Sequence, residues 1–354
     1  MTASPDTCTP LGTRADPRGA DSSDPSTAYV DVGLTAYRRV TFIDQAIESV
    51  LAQTYPHWRL TICDNGPGGG DIERVAERYL DDARVSYRAT GRELTLPENW
   101  TSALNQGTAS YVAVLADDDR WHPDFLRARV DVLEAHPECG FAFSECVLID
   151  EHGDVILRAP TRFLDGVLSQ QQSASWLIRE NPIVPPAILI RRSACEAVGS
   201  FFDATWQYCD WELWGRLAAR FPVYYLARQD NDNRRHATAY TYAEREPPDL
   251  LLDMFDHLER MFAREVEGFE LSRVERARTR SQILLRAAGD VHAGTGWKAS
   301  GPTYRRALRE YPPALFSQIS LTMLAKSLLG ERGTRFASQL LRHIRPSSNR
   351  GRLA

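Results

Sequence analysis

The chain has 354 residues, 43% hydrophobic and 25% charged, with a formal net charge of −5. That length suggests one large domain and a smaller one, and the acidic balance argues against a nucleic-acid binder, which would usually be basic. Six cysteines, none in a CxxC pair or a zinc-ligand spacing, read as free thiols of a cytosolic protein. Residues 1–27 are rich in Pro, Ser, Thr, Asp and Gly and lack the apolar core of a signal peptide, so a disordered tail is expected there. No segment has the length and apolarity of a membrane span.

From residue 28 the pattern changes. AYVDVGLTAY reads as a strand. TFIDQAIESVLAQT follows, with Phe42, Ile43, Ala46, Ile47 and Val50 at helical spacing. WRLTICDNG is a second strand, DIERVAERYLDD a helix, ARVSYRAT a third strand, PENWTSALNQGT a helix and SYVAVLADDD a fourth strand. Strands alternating with helices imply βαβ units and a mostly parallel sheet. Such sheets bind ligands outside the carboxyl ends of their strands. Three polar clusters fall at those ends: Thr35-Ala36-Tyr37, Asp64-Asn65-Gly66 and Asp117-Asp118-Asp119.

HPDFLRARVDVLEAHPE is a further helix and CGFAFSECVLID a strand, followed by a polar stretch to about Arg162. SASWLIREN reads as helical, and PAILIRRSACEAVGSF as a strand running into a short helix. DWELWGRLAARF is amphipathic through Trp211, Leu213, Trp214 and Leu217. PVYYLARQDNDNRRHAT reads as a strand running into a basic loop. From about Tyr242 helices dominate, with Leu251, Met254, Phe255, Leu258 and Phe262 at helical spacing, then a helical hairpin from Arg278 to Pro312. Between Lys326 and Arg352 there are seven Lys or Arg and one Glu. This face is expected to be solvated and packed on the catalytic domain; contact with an anionic membrane surface is the alternative.

The aspartate triplet ends an apolar strand at the ligand edge. Hard divalent cations favour carboxylate oxygen, and Mn²⁺ also accepts imidazole nitrogen. Taken alone, the triplet reads equally well as a metal site or as a wet turn. GPGGG, Gly66 to Gly70, has neither the GxGxxG spacing nor the Lys-Ser/Thr of an NTPase phosphate loop, and reads as a flexible connector.

GLTAYRRVTFIDQAIESVLAQTYPHWRLTICDNG resembles the opening of the family 2 glycosyltransferases, which have the GT-A fold. ENWTSALNQGTASYVAVLADDDRWHPDFL resembles that family's acidic metal block, and AILIRRSACEAVGSFFDATWQYCDWELWGRLA the block with its catalytic carboxylate. The resemblance covers roughly residues 28 to 240. It implies an α/β class: a doubly wound, mostly parallel (mixed) sheet flanked by helices, with a helical C-terminal region. The implied division is a tail (1–27), a GT-A domain (28–241; nucleotide-binding half 28–120, acceptor and catalytic half 121–241) and a helical region (242–354).

Roles carry over by position. Thr35, Ala36 and Tyr37 occupy the turn at the nucleotide base, with Thr35 where Pro and Ala36 where Thr are common, so backbone contact is implied. Asp64 matches the aspartate that hydrogen-bonds the base, Asp118 the carboxylate near the ribose and donor sugar, and Asp119 the metal ligand. Asp117 falls on a variable position and reads as a bystander whose replacement by Ser is nearly silent. Asn99 either reaches the donor or caps its helix. Asp210 matches the general base, with Cys209 replacing the usual Glu. Its other reading is a carboxylate stabilising a helix N-terminus. His236 resembles the histidine that closes over the diphosphate and can ligate the metal, and Arg234 and Arg235 beside it would bind the donor and stabilise the charge of its diphosphate.

The implied reaction is inverting, metal-dependent transfer of a sugar from a nucleotide-diphosphate sugar, a UDP-sugar first, to an acceptor hydroxyl. Mn²⁺ or Mg²⁺ would be the cofactor, with His236 favouring Mn²⁺. The location would be cytoplasmic, with peripheral membrane contact as a variant, and no nucleic acid would be involved. The rivals are a sugar nucleotidyltransferase, which would need an early basic Gly-rich loop that this sequence lacks near Thr35, and an inactive nucleotide-sugar-binding protein.

Overall fold

A computed structural model describes residues 29–324, except 182, 200–207, 237–247 and 296. The N-terminal tail and the basic segment from Lys326 lie outside the described residues.

The first half alternates as expected: β1 (Val30–Ala36), α1 (Ile43–Leu51), β2 (Trp58–Asp64), α2 (Asp71–Ala76), β3 (Val85–Ala89), α3 (Leu96–Leu104) and β4 (Tyr111–Ala116). Then come β5 (Arg120–Trp121), α4 (Phe125–Ala135), β6 (Phe141–Ile149), β7 (Val155–Arg158), β8 (Gly166–Leu168), α5 (Gln170–Leu177), β9 (Ile188–Arg191), α6 (Arg192–Val198), α7 (Cys209–Arg220) and β10 (Val223–Arg234). Three long helices follow, α8 (Pro248–Glu265), α9 (Arg273–Thr295) and α10 (Trp297–Glu310), then a 3-10 helix (Pro312–Phe316) and a helical stretch over 318–324.

One sheet holds the strands in the order β3-β2-β1-β4-β9-β6-β10-β5, with β7 added on β6 and β8 on β10. β3, β2, β1 and β4 pair in parallel. β9 is antiparallel to both β4 and β6, so β6 and its parallel neighbour β10 run in the same direction as β4. The sheet is therefore mixed and mostly parallel, and the carboxyl ends of β1, β2, β4, β6 and β10 share one edge. This is the expected GT-A-type architecture.

Two apolar layers sandwich the sheet. On one side α1 turns Ile43, Ala46, Ile47 and Val50 onto β1 and β2, and α4 adds Phe125, Leu126, Val130 and Leu133. On the other, α3, α5 and α7 pack with α8. Helix α3 starts at a capping box, Thr95 with Glu98, which satisfies two N-terminal amides. It lies so close to β1 that a Cβ at Gly33 would stand 2.4 Å from the Ala103 carbonyl oxygen. Only glycine fits there. Likewise a Cβ at Gly215 of α7 would meet Leu258 of α8 at 2.6 Å.

The structure departs from the sequence reading at three places. The polar stretch before Arg162 contains β7, antiparallel to β6. α5 begins at Gln170, where Ser169 and Gln172 form a capping box that the apolar pattern alone did not mark. β10 does not dissolve into a basic loop after its apolar half. It continues to Arg234 through two register shifts, because its polar residues pair with β5 and with the end of β6.

That extension rests on a buried ion pair. Arg129 of α4 is fully buried, and its guanidinium meets both Asp230 oxygens at 3.0 Å, the Ala187 carbonyl and Ser144 Oγ. Arg129→Ala should destabilise the protein by about 3–5 kcal/mol, because it leaves a buried carboxylate without its partner. Urea unfolding followed by tryptophan fluorescence measures this; a loss below about 1 kcal/mol would show that the pair is not needed.

Candidate active site

The register of β1 puts Ala36 beside Asp64 and Thr35 beside Ala116. The three polar clusters therefore meet at the carboxyl edge. Asp64 is buried and accepts a hydrogen bond from the Tyr87 hydroxyl at 2.7 Å. Burial raises its pKa, and the Tyr87 bond works against that rise. A Cβ at Gly66 would sit 3.3 Å from Asp64 Oδ1, so glycine keeps that oxygen approachable. Asn65 is fixed by a two-way bond to the Leu94 backbone.

In the triplet each aspartate has a different environment. Asp119 is buried and accepts from the Arg234 backbone N–H at 2.8 Å and from Asn233 Nδ2 at 3.1 Å. Burial and the neighbouring Asp118 charge push its pKa well up. Asp118 Oδ2 faces His236 Nε2 at 2.9 Å and Arg39 at 3.3 Å. The end of β10 thus holds both carboxylates against the end of β4.

Asp117 is not a bystander in a wet turn. Its side chain is 5% exposed, accepts from the Tyr37 backbone N–H at 3.2 Å and pairs with Arg39 at 2.9 Å. Burial and Asp118 raise its pKa to about 7. It holds the 37–39 turn, where Arg38 takes φ +57°, an uncommon conformation for a non-glycine residue. Asp117→Ser should therefore cost about 1–3 kcal/mol of stability, since the Tyr37 amide and Arg39 lose a buried acceptor. Chemical denaturation would reveal an unchanged midpoint if the wet-turn reading were right.

Arg234, expected at the donor diphosphate, makes several contacts that support the fold. Its guanidinium reaches the Asp118 and Asp150 carbonyls and Gln45 Oε1 at 2.8–3.0 Å and lies over the Phe42 ring. A buried guanidinium with these partners shapes the acidic turn. His236 is buried beside Phe42, with its Nε2 on Asp118. The imidazole thus stands against the carboxylate that precedes the expected metal ligand Asp119. Arg235 donates its backbone N–H to Ile149 at 2.8 Å, and its charge works against the raised pKa of Asp119. Asn99 is buried on α3, and its Oδ1 has no partner among the described residues; the helix is capped by Thr95, not by Asn99.

Asp210 stands in the first turn of α7. That helix ends at Arg220, just before β10 begins at Val223, so its first turn lies at the carboxyl edge of the sheet. Asp210 accepts from the Trp211 N–H at 2.7 Å and from Asn181 Nδ2 at 3.0 Å. Burial outweighs these bonds and raises its pKa to about 6, which suits a proton acceptor near neutral pH. Cys209 is buried, and burial together with the Asp210 charge pushes its thiol pKa up, so it adds no second charge beside Asp210.

Two neighbouring carboxylates, Asp119 buried and Asp118 partly so, opposed by each other's charge, form a donor set that suits a hard divalent cation. No group of three His, Cys, Asp or Glu arranged to hold a metal occurs among the described residues. Hard divalent cations are often held by only one or two carboxylates together with substrate phosphates.

The sequence reading missed Arg39, Asn233, Asn181 and Tyr87. Their roles come from pairings across long sequence separations. Arg39 lies two residues past the Tyr37 turn and Asn233 directly before Arg234, so both stood beside residues already singled out.

The sequence matches glycosyl transferase family 2 over residues 31–199. Protein CgeD of Bacillus subtilis is 28% identical over 210 residues, covering 53% of this chain and 46% of that one. TuaG of the same species, whose name associates it with teichuronic acid biosynthesis, is 29% identical over 136 residues, 37% of this chain and 53% of its own. The match thus spans about half the length of these curated relatives. In fold, the chain superposes on TarS (residues 1–349) of S. aureus, solved with UDP-GlcNAc, with a TM-score of 0.56 at 12% identity, covering 89% of this chain and 92% of that one. Over residues 31–199 the chain belongs to glycosyltransferase family 2, and its fold is GT-A. No helix among the described residues is long and apolar enough to cross a membrane.

Proposed function

We propose that this protein transfers a sugar from a nucleotide-diphosphate sugar to an acceptor hydroxyl, with inversion at the anomeric carbon. One observation carries the reading: Asp118 and Asp119 are clamped by the end of β10 at the same sheet edge as Asp64 and the first turn of α7. TarS, with the same fold, was solved with UDP-GlcNAc, which makes a UDP-sugar the first donor to test.

The turn at Thr35, Ala36 and Tyr37 and the carboxylate of Asp64 receive the base. The unpartnered Asn99 Oδ1 offers an acceptor to a donor hydroxyl. Asp118 and Asp119, with the donor's diphosphate oxygens, would hold Mn²⁺ or Mg²⁺; a bound divalent ion would supply charge stabilisation to the leaving diphosphate. Arg39, His236 and Arg234 hold the acidic turn in shape, and Arg235 adds positive charge beside Asp119.

Asp210 takes the proton from the acceptor hydroxyl as its oxygen attacks the anomeric carbon. The bond from that carbon to the diphosphate oxygen breaks, and the nucleoside diphosphate leaves. A single base fits one displacement, hence inversion.

Calorimetry with a panel of nucleotide sugars and Mn²⁺, followed by an assay for slow donor hydrolysis, tests this reading. A nucleotide sugar that binds and releases free sugar and nucleoside diphosphate supports it. Pyrophosphate release would point to a nucleotidyltransferase, binding without turnover to an inactive binding protein, and no binding of any nucleotide sugar would overturn the proposal.

A further inference from the structure

We propose that Asn181 is the residue that positions the Asp210 carboxylate, and that the C-terminal helices hold Asn181 in place through Arg286. The catalytic meaning rests on Asp210 as the base; the contact itself does not.

Asn181 lies in the irregular segment after α5 and donates from Nδ2 to Asp210 Oδ2 at 3.0 Å. Its Oδ1 is buried and has no partner among the described residues. A buried acceptor left unmet costs free energy. Turning the amide over would set that oxygen against the carboxylate, so the donor face stays on Asp210. The amide thus serves one partner at the expense of its other end.

The segment around it is pinned at both sides. Trp211 Nε1 donates to the Leu177 carbonyl at 2.8 Å, and Trp214 Nε1 to the Ile183 carbonyl at 3.1 Å. The same helix that carries Asp210 therefore grips the segment that carries Asn181. Arg286, on α9, adds a third anchor from the C-terminal region. It donates to the Arg179 carbonyl at 3.2 Å and pairs with Glu180 at 2.9 Å. Arg162 pairs with the same Glu180 and with buried Glu145. Around Asp210 the other titratable groups are Cys209 and Glu212 on its own helix, with Glu212 tied to Arg216 and facing His257 of α8. None of these donates to the Asp210 carboxylate. Asn181 is its side-chain donor among the described residues.

The test is carbon-13 NMR of the full chain labelled at the aspartate carboxyl carbons, with the Asp210 signal identified by its absence in Asp210→Asn. The wild-type signal should titrate near 6. Loss of a donor to the charged form raises the pKa. Asn181→Ala should therefore move the midpoint up by about one unit, roughly tenfold in proton affinity. Asn181→Ser, which keeps a hydroxyl donor, should recover part of the shift, and Arg286→Ala should shift it the same way by less. An unmoved midpoint in a folded Asn181→Ala protein overturns the proposal. If that variant does not fold, the half-exposed Arg286→Ala decides, and an unmoved midpoint there overturns it too. If Asp210→Asn retains turnover, the base reading fails while the titration still judges the contact.

Discussion

Asp210→Asn should bind donor as the wild type does and turn over about 10²–10⁴-fold more slowly, the usual contribution of a positioned general base. The substitution is close to isosteric, and its surroundings can absorb it. The Trp211 N–H can still donate to the remaining oxygen. The new amide would face Asn181, whose unpartnered Oδ1 becomes an acceptor once that amide turns over. The fold should survive, and what is lost is the lone pair that takes the acceptor's proton.

The pH dependence has a definite sign. Burial raises the Asp210 pKa from its ordinary 3.8 to about 6. A base works only when ionised, so the wild-type rate should fall about tenfold per pH unit below 6 and level off above it. The residual rate of Asp210→Asn should lack that limb. Initial rates from about pH 5 to 8 with the donor found by calorimetry check both points. Near-normal turnover in the variant would remove Asp210 from the mechanism.

Much of this site could be read from the chain because βαβ folds place strand ends in a predictable row. Thr35 and Asp64 lie at the ends of strands, and Asp119 in the turn after one, whose apolar runs are plain in the sequence, and the register of β1 with β2 and β4 brings those ends together. Asp210 was legible only through a family resemblance, since an aspartate in the first turn of an amphipathic helix is ordinary.

The errors share a physical cause. Asp117 looked like a solvated turn residue because local sequence cannot show that Arg39 and the Tyr37 amide point at it. The stretch before His236 looked like a basic loop, yet pairing with β5 and with the end of β6 extends β10 as far as Arg234, whose guanidinium supports the acidic turn. A cation near a carboxylate can bind a ligand or hold the carboxylate, and only the three-dimensional partners decide which.

Those partners also determine how Asp119 should be tested. Alanine would strip the acceptor from Asn233 and from the Arg234 amide, mixing a structural loss with a functional one. Asp119→Asn avoids this. Its remaining oxygen can still accept from the Arg234 N–H, and the buried, unpartnered Oδ1 of Asn233 can turn to accept from the new amide. The substitution also deletes a charge that burial and Asp118 both oppose. A buried carboxyl whose pKa is raised is least costly in its neutral form, so it destabilises the fold as pH rises through that raised value. Without metal, at about pH 8, Asp119→Asn should therefore melt no lower than the wild type. The wild type with Mn²⁺ and UDP should melt higher than without them, since ligands that bind only the native state stabilise it in proportion to the logarithm of their saturation. In Asp119→Asn that increment should vanish, and UDP affinity should no longer depend on Mn²⁺. Melting curves and UDP titrations with and without Mn²⁺ separate the outcomes: an Mn²⁺-dependent increment that persists in the variant would move the metal off Asp119.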